Sequence, residues 1–492
     1  MNNILVLPMV LPLIIGIFLV FFARLIHLQR WVTFLVLILN TVISGWALHY
    51  IVNNGIITLD FGDWEAPFGI TFVGDAFSML LVVTTNLVSA ICVLYAMKTI
   101  GTKREQLYFY PFVLFLVSGV NGSFLTGDLF NLFVTFEVML LASYALITLG
   151  GTKKQLQESF KYIAINVVSS SLFLIAIAYL YGTLGTLNMA HLSERIAESG
   201  QTPLLTVISL LFLIVFSLKS GLLLYQWLPG SYSTPPPAVA ALFGALLTKV
   251  GIYALFRTFT LLFYHEQQIT HTIIGIMAVI TLIGGSIGAV AYKNIQQIVT
   301  YNVVIAVGFI LVALAIMNVT AIEGAIYYLV HDMVVKALLF LLAGSMIYVA
   351  NSERLSEISG LIRNYSLLGW MFFITVLSLT GIPPLSGFIG KVLLGTGAIE
   401  TGSYVLLSIS ILSGFFVLYS LLRIFMSCFW GETIISEDEE IPLQKGHLIP
   451  SAILILLTIG IGLGAETLSP YIQNAAHTLM HPSVYIEAVL SK

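Results

Sequence analysis

The sequence predicts an all-α polytopic membrane protein of about 14 transmembrane helices, and three observations predict it. Apolar runs of about 20 residues, the length that crosses a hydrocarbon core, recur from end to end of the 492 residues. Hydrophobic residues make up 59% of the chain and charged residues only 9%, which leaves no stretch able to fold as a soluble domain. The longest polar stretch, 431–447, is too short to bury a core, and its acidic cluster from Glu437 to Glu440 reads as a solvated loop.

Composition also narrows the function classes. A net charge of −3 points to no charged partner, and nothing suggests nucleic acid. Cys92 and Cys428, both in apolar runs and without metal-ligand spacing, read as helix-packing residues, so no disulfide framework and no metal site is expected. No phosphate-binding glycine loop and no paired helical histidines occur, so use of ATP, a dinucleotide or haem as a cofactor is not expected.

Hydropathy places the fourteen segments around residues 13, 42, 85, 115, 138, 170, 213, 250, 280, 308, 335, 378, 415 and 458. The first lacks a basic region before it and a small-residue cleavage site after it, so it is expected to be a membrane helix rather than a leader. Alternate loops carry thirteen basic residues on one side, from Arg24 and Arg30 to Arg423 and Lys445, against Arg195, Arg257 and Lys492 on the other. By the positive-inside rule both termini are then expected to face outward.

Segments one to three are read as packing without buried charge, with the acidic loop LDFGDWEAPFG on the outside before the third. Segment five, from Thr126 to Tyr144, has Asp128 at its outer end and holds Glu137 near its middle. A charge at that depth costs about 2.5–3.5 kcal/mol on insertion scales, so it calls for a partner charge or a wet cavity. Four lysines remain once the loop residues are subtracted: Lys219, Lys249, Lys336 and Lys391. Lys219 stands beside Ser220-Gly221, where a small pair can loosen helix seven before Trp227-Leu228-Pro229 closes it. The prolines Pro235 to Pro237 start helix eight, which carries Lys249 at mid-depth. Gly284, Gly285 and Gly288 in segment nine suggest close helix packing.

Segment eleven places His331, Asp332 and Lys336 within about one and a half turns, and Asp332 can pair with Lys336 at i, i+4. In segment twelve Pro383 and Pro384 remove donors at mid-membrane and break the helix just before Lys391. FSLKSG at Phe216 and LSLTG at Leu377 suggest a repeat with an offset of five helices, hence two units of opposite orientation with helices 7 and 12 broken. The expected organisation is 1–105 for helices 1–3, 106–265 for helices 4–8, 266–430 for helices 9–13, and 431–492 for an inner acidic loop, helix 14 and an outer tail.

The stretches GDLFNLFVTFEVM (127–139), WLPGSYSTPPPAVAALFGALLTKVGIYALFR (227–257), HDMVVKALLFLLAG (331–344) and GIPPLSGFIGK (381–391) resemble the antiporter-like family shared by respiratory complex I membrane subunits and Mrp-type multisubunit Na+/H+ antiporters. The resemblance implies a proton path through Glu137, Lys219, Lys249 and Lys391, with His331 and Lys336 from helix eleven. It implies other antiporter subunits as partners, H+ and Na+ as transported ions, and a bacterial cell membrane. Complex I relatives carry Glu at the position of Lys391 or Lys at that of Glu137, and histidines around the WLP motif where this chain has Gln226 and Tyr232. These departures favour the Mrp branch.

The residues themselves support that chemistry. Desolvation disfavours a charged lysine and a neighbouring carboxylate restores it, so such pairs can exchange a proton. The plain alternative for Glu137 and Lys219 is a structural ion pair, and for His331 a helix-packing histidine. Asp75 and Asp128, near outer helix ends, read as solvated or capping carboxylates. Four lysines against two carboxylates make a poor site for desolvated Na+, which puts part of any Na+ path in another subunit. The readings compared are a proton-translocating antiporter subunit, a proton-pumping subunit of a redox complex, and a scaffold without transport.

Overall fold

The computed structural model describes residues 2–200, 202–433, 440–443 and 445–490. Most of the acidic cluster expected in 431–447, and the terminal Lys492, lie outside these residues. The helices that matter here are α1 Leu7–Phe21, α2 Ile26–Asn54, α3 Ala76–Thr99, α4 Phe109–Leu125, α5 Leu129–Thr148, α6 Lys153–Leu184, α7 Pro203–Ser220, α8 Pro237–Leu261, α9 Gln267–Ala291, α10 Ile295–Ile316 and α11 Val319–Ala350. They are followed by α12 Ser366–Thr380, α13 Gly387–Glu400, α14 Tyr404–Phe429, α15 Lys445–Leu463, α16 Ala465–Met480 and α17 Pro482–Leu490.

Among the described residues twelve helices are long and apolar enough to span a membrane, and α4 and α12 are shorter apolar helices. Every one of the fourteen expected centres falls inside a helix, with segment twelve divided between α12 and α13. Burial sorts the layers: the apolar stretch of α8 is 100% buried, against 28% for the first helix and for α14. The core therefore lies around α8, with α3, α10 and α11 beside it, and the first and last helices form the rim.

Local chemistry explains the helix ends. Asp75 caps α3 in a reciprocal box with Ser78, and Asp128 accepts from the Asn131 N–H at 2.8 Å at the start of α5. Pro12, inside α1, has no N–H to offer the Pro8 carbonyl. Asn40 and Asn121 donate to that carbonyl at 3.1 and 2.8 Å, which ties α2 and α4 to α1. The loop between α2 and α3 forms an antiparallel hairpin, Ile57–Asp60 with Thr71–Gly74.

Arg30, partly buried in α2, forms a two-point contact at 2.8 and 2.7 Å with Glu105, which is fully buried beyond the end of α3. One expectation for this first third is corrected. Asp75 is a cap but not a solvated one: it is buried and paired with Arg257. The segment after α15 is helical, with α16 packed on α3 and α11.

Among the described residues three helices are interrupted near the core. α7 ends at Ser220, one residue after Lys219, with Gly221 in the left-handed region (φ +79°). Trp227 therefore lies beyond the end of α7, before the short helix Leu228–Ser233, and its indole N–H donates to the freed Leu218 carbonyl at 3.1 Å. α8 contains a π turn over Phe243–Leu247. α12 stops at Gly381 (φ +85°), and α13 resumes at Gly387.

Candidate buried charge pathway

The first cluster joins three helices. Glu137, half-buried on α5, accepts a short hydrogen bond from the Ser170 hydroxyl of α6, and Ser170 Oγ in turn accepts from Lys219 Nζ at 3.2 Å. The plain alternative of a direct Glu137–Lys219 ion pair is thus replaced by a contact bridged by one hydroxyl. The Lys219 ammonium also lies 4.9 Å from the centre of the Phe136 ring, an arrangement that favours a cation. Lys219 sits where α7 ends, and Gly251 of α8 makes room there: a Cβ on Gly251 would stand 2.5 Å from the Ser220 nitrogen.

The second cluster is fully enclosed. Lys249 Nζ is 2.7 Å from Asp332 Oδ2, and Lys336 Nζ is 3.4 Å from Asp332 Oδ1, with all three side chains buried. Lys249 also donates to the Gly244 carbonyl at 2.7 Å, a group inside the π turn. π turns often mark functional positions because they leave backbone groups free. The expected Asp332–Lys336 pair is present. Lys249, which has no carboxylate nearby in the sequence, obtains one from α11.

The third cluster surrounds the broken helix. Lys391 Nζ donates to the Leu379 and Thr380 carbonyls at 2.9 and 2.8 Å. These are the last carbonyls of α12, which its break leaves without helical donors, at the negative end of the helix dipole. Gly381 permits the approach, since a Cβ there would stand 2.9 Å from Lys391 Cδ. His331 Nδ1 lies 2.6 Å from Ser386 Oγ inside the same break, and the Tyr328 ring lies 5.1 Å from the His331 ring and 6.0 Å from the Lys391 ammonium. A cavity of 220 Å³ lined by Lys391, Phe309, Ser410 and Phe415 opens beside the ammonium.

Five of the six expected residues are therefore near an interruption or share one carboxylate, and Glu137 reaches the break at Lys219 through Ser170. Ser217 Oγ, Thr248 Oγ1, Ser378 Oγ and His331 Nε2 are buried with hydrogen-bonding capacity left over, as a water-linked relay needs. Sequence reasoning missed Ser170 and left Asp332 open. Ser170 belongs to a run of three serines in an apolar segment, which is a weak signal.

Arg257 also stands differently from its expected outer loop. It is buried on α8, with Nη2 2.5 Å from Asp75 Oδ2 and the Tyr485 ring of α17 at 4.9 Å. Eight residues separate it from Lys249, about 12 Å along a helix, so this ion pair lies apart from the central clusters. No group of three or more metal-ligating side chains occurs among the described residues.

Residues 126–417 match the transmembrane family described as NADH:quinone oxidoreductase/Mrp antiporter. The chain is 49% identical to the D-type subunit of the Na+/H+ antiporter of Bacillus subtilis (strain 168) and 45% identical to its counterpart in Alkalihalophilus pseudofirmus, covering 100% of each chain. It superposes on a chain in the solved structure of the Mrp complex from Dietzia sp. DQ12-45-1b with a TM-score of 0.92 and 28% identity, over 99% of each chain.

Proposed function

Because the chain belongs to the transmembrane family shared by NADH:quinone oxidoreductases and Mrp antiporters, we propose that it is a proton-translocating membrane subunit of a multisubunit Na+/H+ antiporter. It works by secondary transport driven by the proton gradient, with no catalysed reaction of its own. Its partners are the other subunits of that complex, and its place is a bacterial cell membrane. The observation that carries the reading is the buried centre Lys249–Asp332–Lys336, set between the break at Lys219 and the break at Lys391. Protons pass along Glu137, Lys219, Lys249, Lys336, His331 and Lys391, with Ser170 and Asp332 as links.

The path is organised by two inverted repeats, residues 106–265 and 266–430. Several matched features support this. α6 and α11 both have 32 residues. Gly221 and Leu222 donate to the Ser217 carbonyl as Gly381 and Ile382 donate to Leu377, so both breaks carry the same 6→1 cap. The N-cap residues of α5 and α10, Asp128 and Asn294, form isolated bridges with Asn188 and Arg354, each before a broken helix.

Both termini face outward. With Arg257 buried, the basic residues stand at thirteen against two, 3 − 1 for the outer side, which supports that orientation. Na+ crosses partly in another subunit, because Asp332 is already shared by two lysines and Glu137 is engaged by Ser170.

The test is Glu137→Gln in the intact complex, read as Na+-driven ΔpH in inverted vesicles. Antiport is expected to collapse while the complex assembles, since the substitution keeps shape and removes charge. Antiport near the wild-type level would overturn the proton-path role of Glu137.

A further inference from the structure

The helix ends that carry the basic loops form a second built feature, unrelated to the central charges. The turn between α5 and α6 is held rigid: Gln155 Nε2 donates to the Ile147 and Leu149 carbonyls at 2.6 and 2.7 Å, and Thr152 caps α6. Gly150 and Gly151 take left-handed φ values of +121° and +64°. The Arg104 guanidinium lies directly over this turn, because a Cβ on Gly150 would stand 3.2 Å from its Nη2.

Two cavities meet at Gly151. One of 750 Å³ is lined by Lys103, Arg104 and Leu107, and the other of 900 Å³ by Lys153, Lys161, Leu156 and Phe160. Among the described residues no ion-pair partner is found for Lys103, Arg104 or Lys153, whereas Lys161 holds Glu158 at 2.7 Å. Below the cations the walls turn apolar and exposed, with Leu156 at 50% and Phe160 at 74% exposure. Phe160 lies seven residues into α6 from Lys153, about 10 Å deeper along the helix.

Cations at the level where spanning helices end, above an exposed apolar wall, match a molecule with an anionic head and hydrocarbon tails. We propose that the double groove around Gly151 is a binding site for an anionic phospholipid, its phosphate held by Lys103, Arg104 and Lys153 and its acyl chains lying on Leu156 and Phe160. Charge complementarity selects this occupant. A soluble phosphate would leave the apolar wall uncovered, and a zwitterionic lipid would leave the cations unneutralised.

The experiment uses the whole complex in phosphatidylcholine nanodiscs doped with diphosphatidylglycerol, with the retained anionic lipid counted by mass spectrometry. Neutralising Lys103→Gln, Arg104→Gln and Lys153→Gln is expected to weaken retention about fivefold per residue. Lys153→Arg is expected to keep it, and Lys293→Gln, an exposed basic residue of another loop, to leave it unchanged. Inorganic phosphate is expected not to displace the lipid. Unchanged retention in the triple variant would overturn the proposal. So would displacement by inorganic phosphate, which would mark a soluble-anion site. Loss of a neighbouring subunit without loss of lipid would overturn it as well, by marking a protein interface.

Discussion

Lys249 Nζ lies 2.7 Å from Asp332 Oδ2, and neither side chain is exposed to solvent. Asp332 faces Lys336 at 3.4 Å with its other oxygen, so one carboxylate serves two ammonium groups on two helices. Such an arrangement holds an excess positive charge, and it is relieved whenever one lysine hands its proton on. In the proposed path Asp332 then stands at the junction of its two halves.

Asp332→Asn keeps the shape but strands two buried cations. Removing one partner of a buried pair costs about 3–5 kcal/mol, so the detergent-solubilised complex should melt lower and antiport should be lost. Adding Lys249→Met should recover part of the lost melting temperature without recovering transport, since Lys336 stays unpaired. A single Asp332→Asn variant with normal melting and normal Na+-driven ΔpH would show that the carboxylate is dispensable.

Ser170→Ala deletes the hydroxyl between Glu137 and Lys219. A hydrogen bond to a charged group contributes about 1.5–3 kcal/mol, so antiport is expected to slow by about tenfold or more with the complex intact. Ser170→Thr keeps the hydroxyl and should retain most activity. Equal rates for the alanine and wild-type proteins would mean that Glu137 and Lys219 communicate without it.

For Lys391, arginine discriminates a relay from a fixed charge, because a guanidinium stays protonated in proteins. The carbonyls of Leu379 and Thr380 would accept from either side chain. If Lys391 must release its proton each cycle, Lys391→Arg and Lys391→Ala should both abolish antiport in assembled complexes. An arginine variant that sustains Na+-driven ΔpH over the full pH range would leave Lys391 as a structural anchor only.

Asp128 gives a pH signature. Burial raises its carboxyl from 3.8 to about 6, partly opposed by the N–H groups of Asn131 and Phe130. The folded state therefore holds this proton more tightly than the unfolded state, so the charged carboxylate destabilises the fold. The penalty is absent below about pH 4, grows as pH rises to 6, and is complete above it, at most about 3 kcal/mol for two pKa units. Asp128→Asn keeps the cap, so it should raise the melting temperature above pH 7 and leave it unchanged near pH 4. A shift of the same size at both pH values would show that the charge is not responsible.

What the sequence made legible followed from the cost of burying polarity. Apolar runs located the helices, and lysines inside them located the buried charge clusters, because neither signal needs a tertiary partner to be read. Glycine and proline beside Lys219 and Lys391 marked the breaks in the same way. Partner choice was not legible. Asp332 stands four residues before Lys336, so the local pair could be read, but the closer contact comes from Lys249, 83 residues earlier. Arg257 follows an apolar run and passed for a loop residue, since its ion pair with Asp75 crosses 182 residues. Ser170 was hidden because serine is cheap in a membrane helix and carries no charge to account for.

The π turn over Phe243–Leu247 carries one further meaning. It holds a residue more than an α ladder would over the same rise, and at 3.6 residues per turn one residue is worth about 100° of azimuth. The direction in which Lys249 points, relative to the prolines that anchor the start of α8, is thus set by a count of residues as much as by their identity. Closing this turn into a regular α ladder with all its residues kept would change no charge and no volume, yet swing the ammonium out of the sector that faces Asp332, whereas removing one apolar residue would let an α ladder carry it to the same sector. In this helix the extra residue is absorbed by the turn, and the turn keeps the lysine in phase.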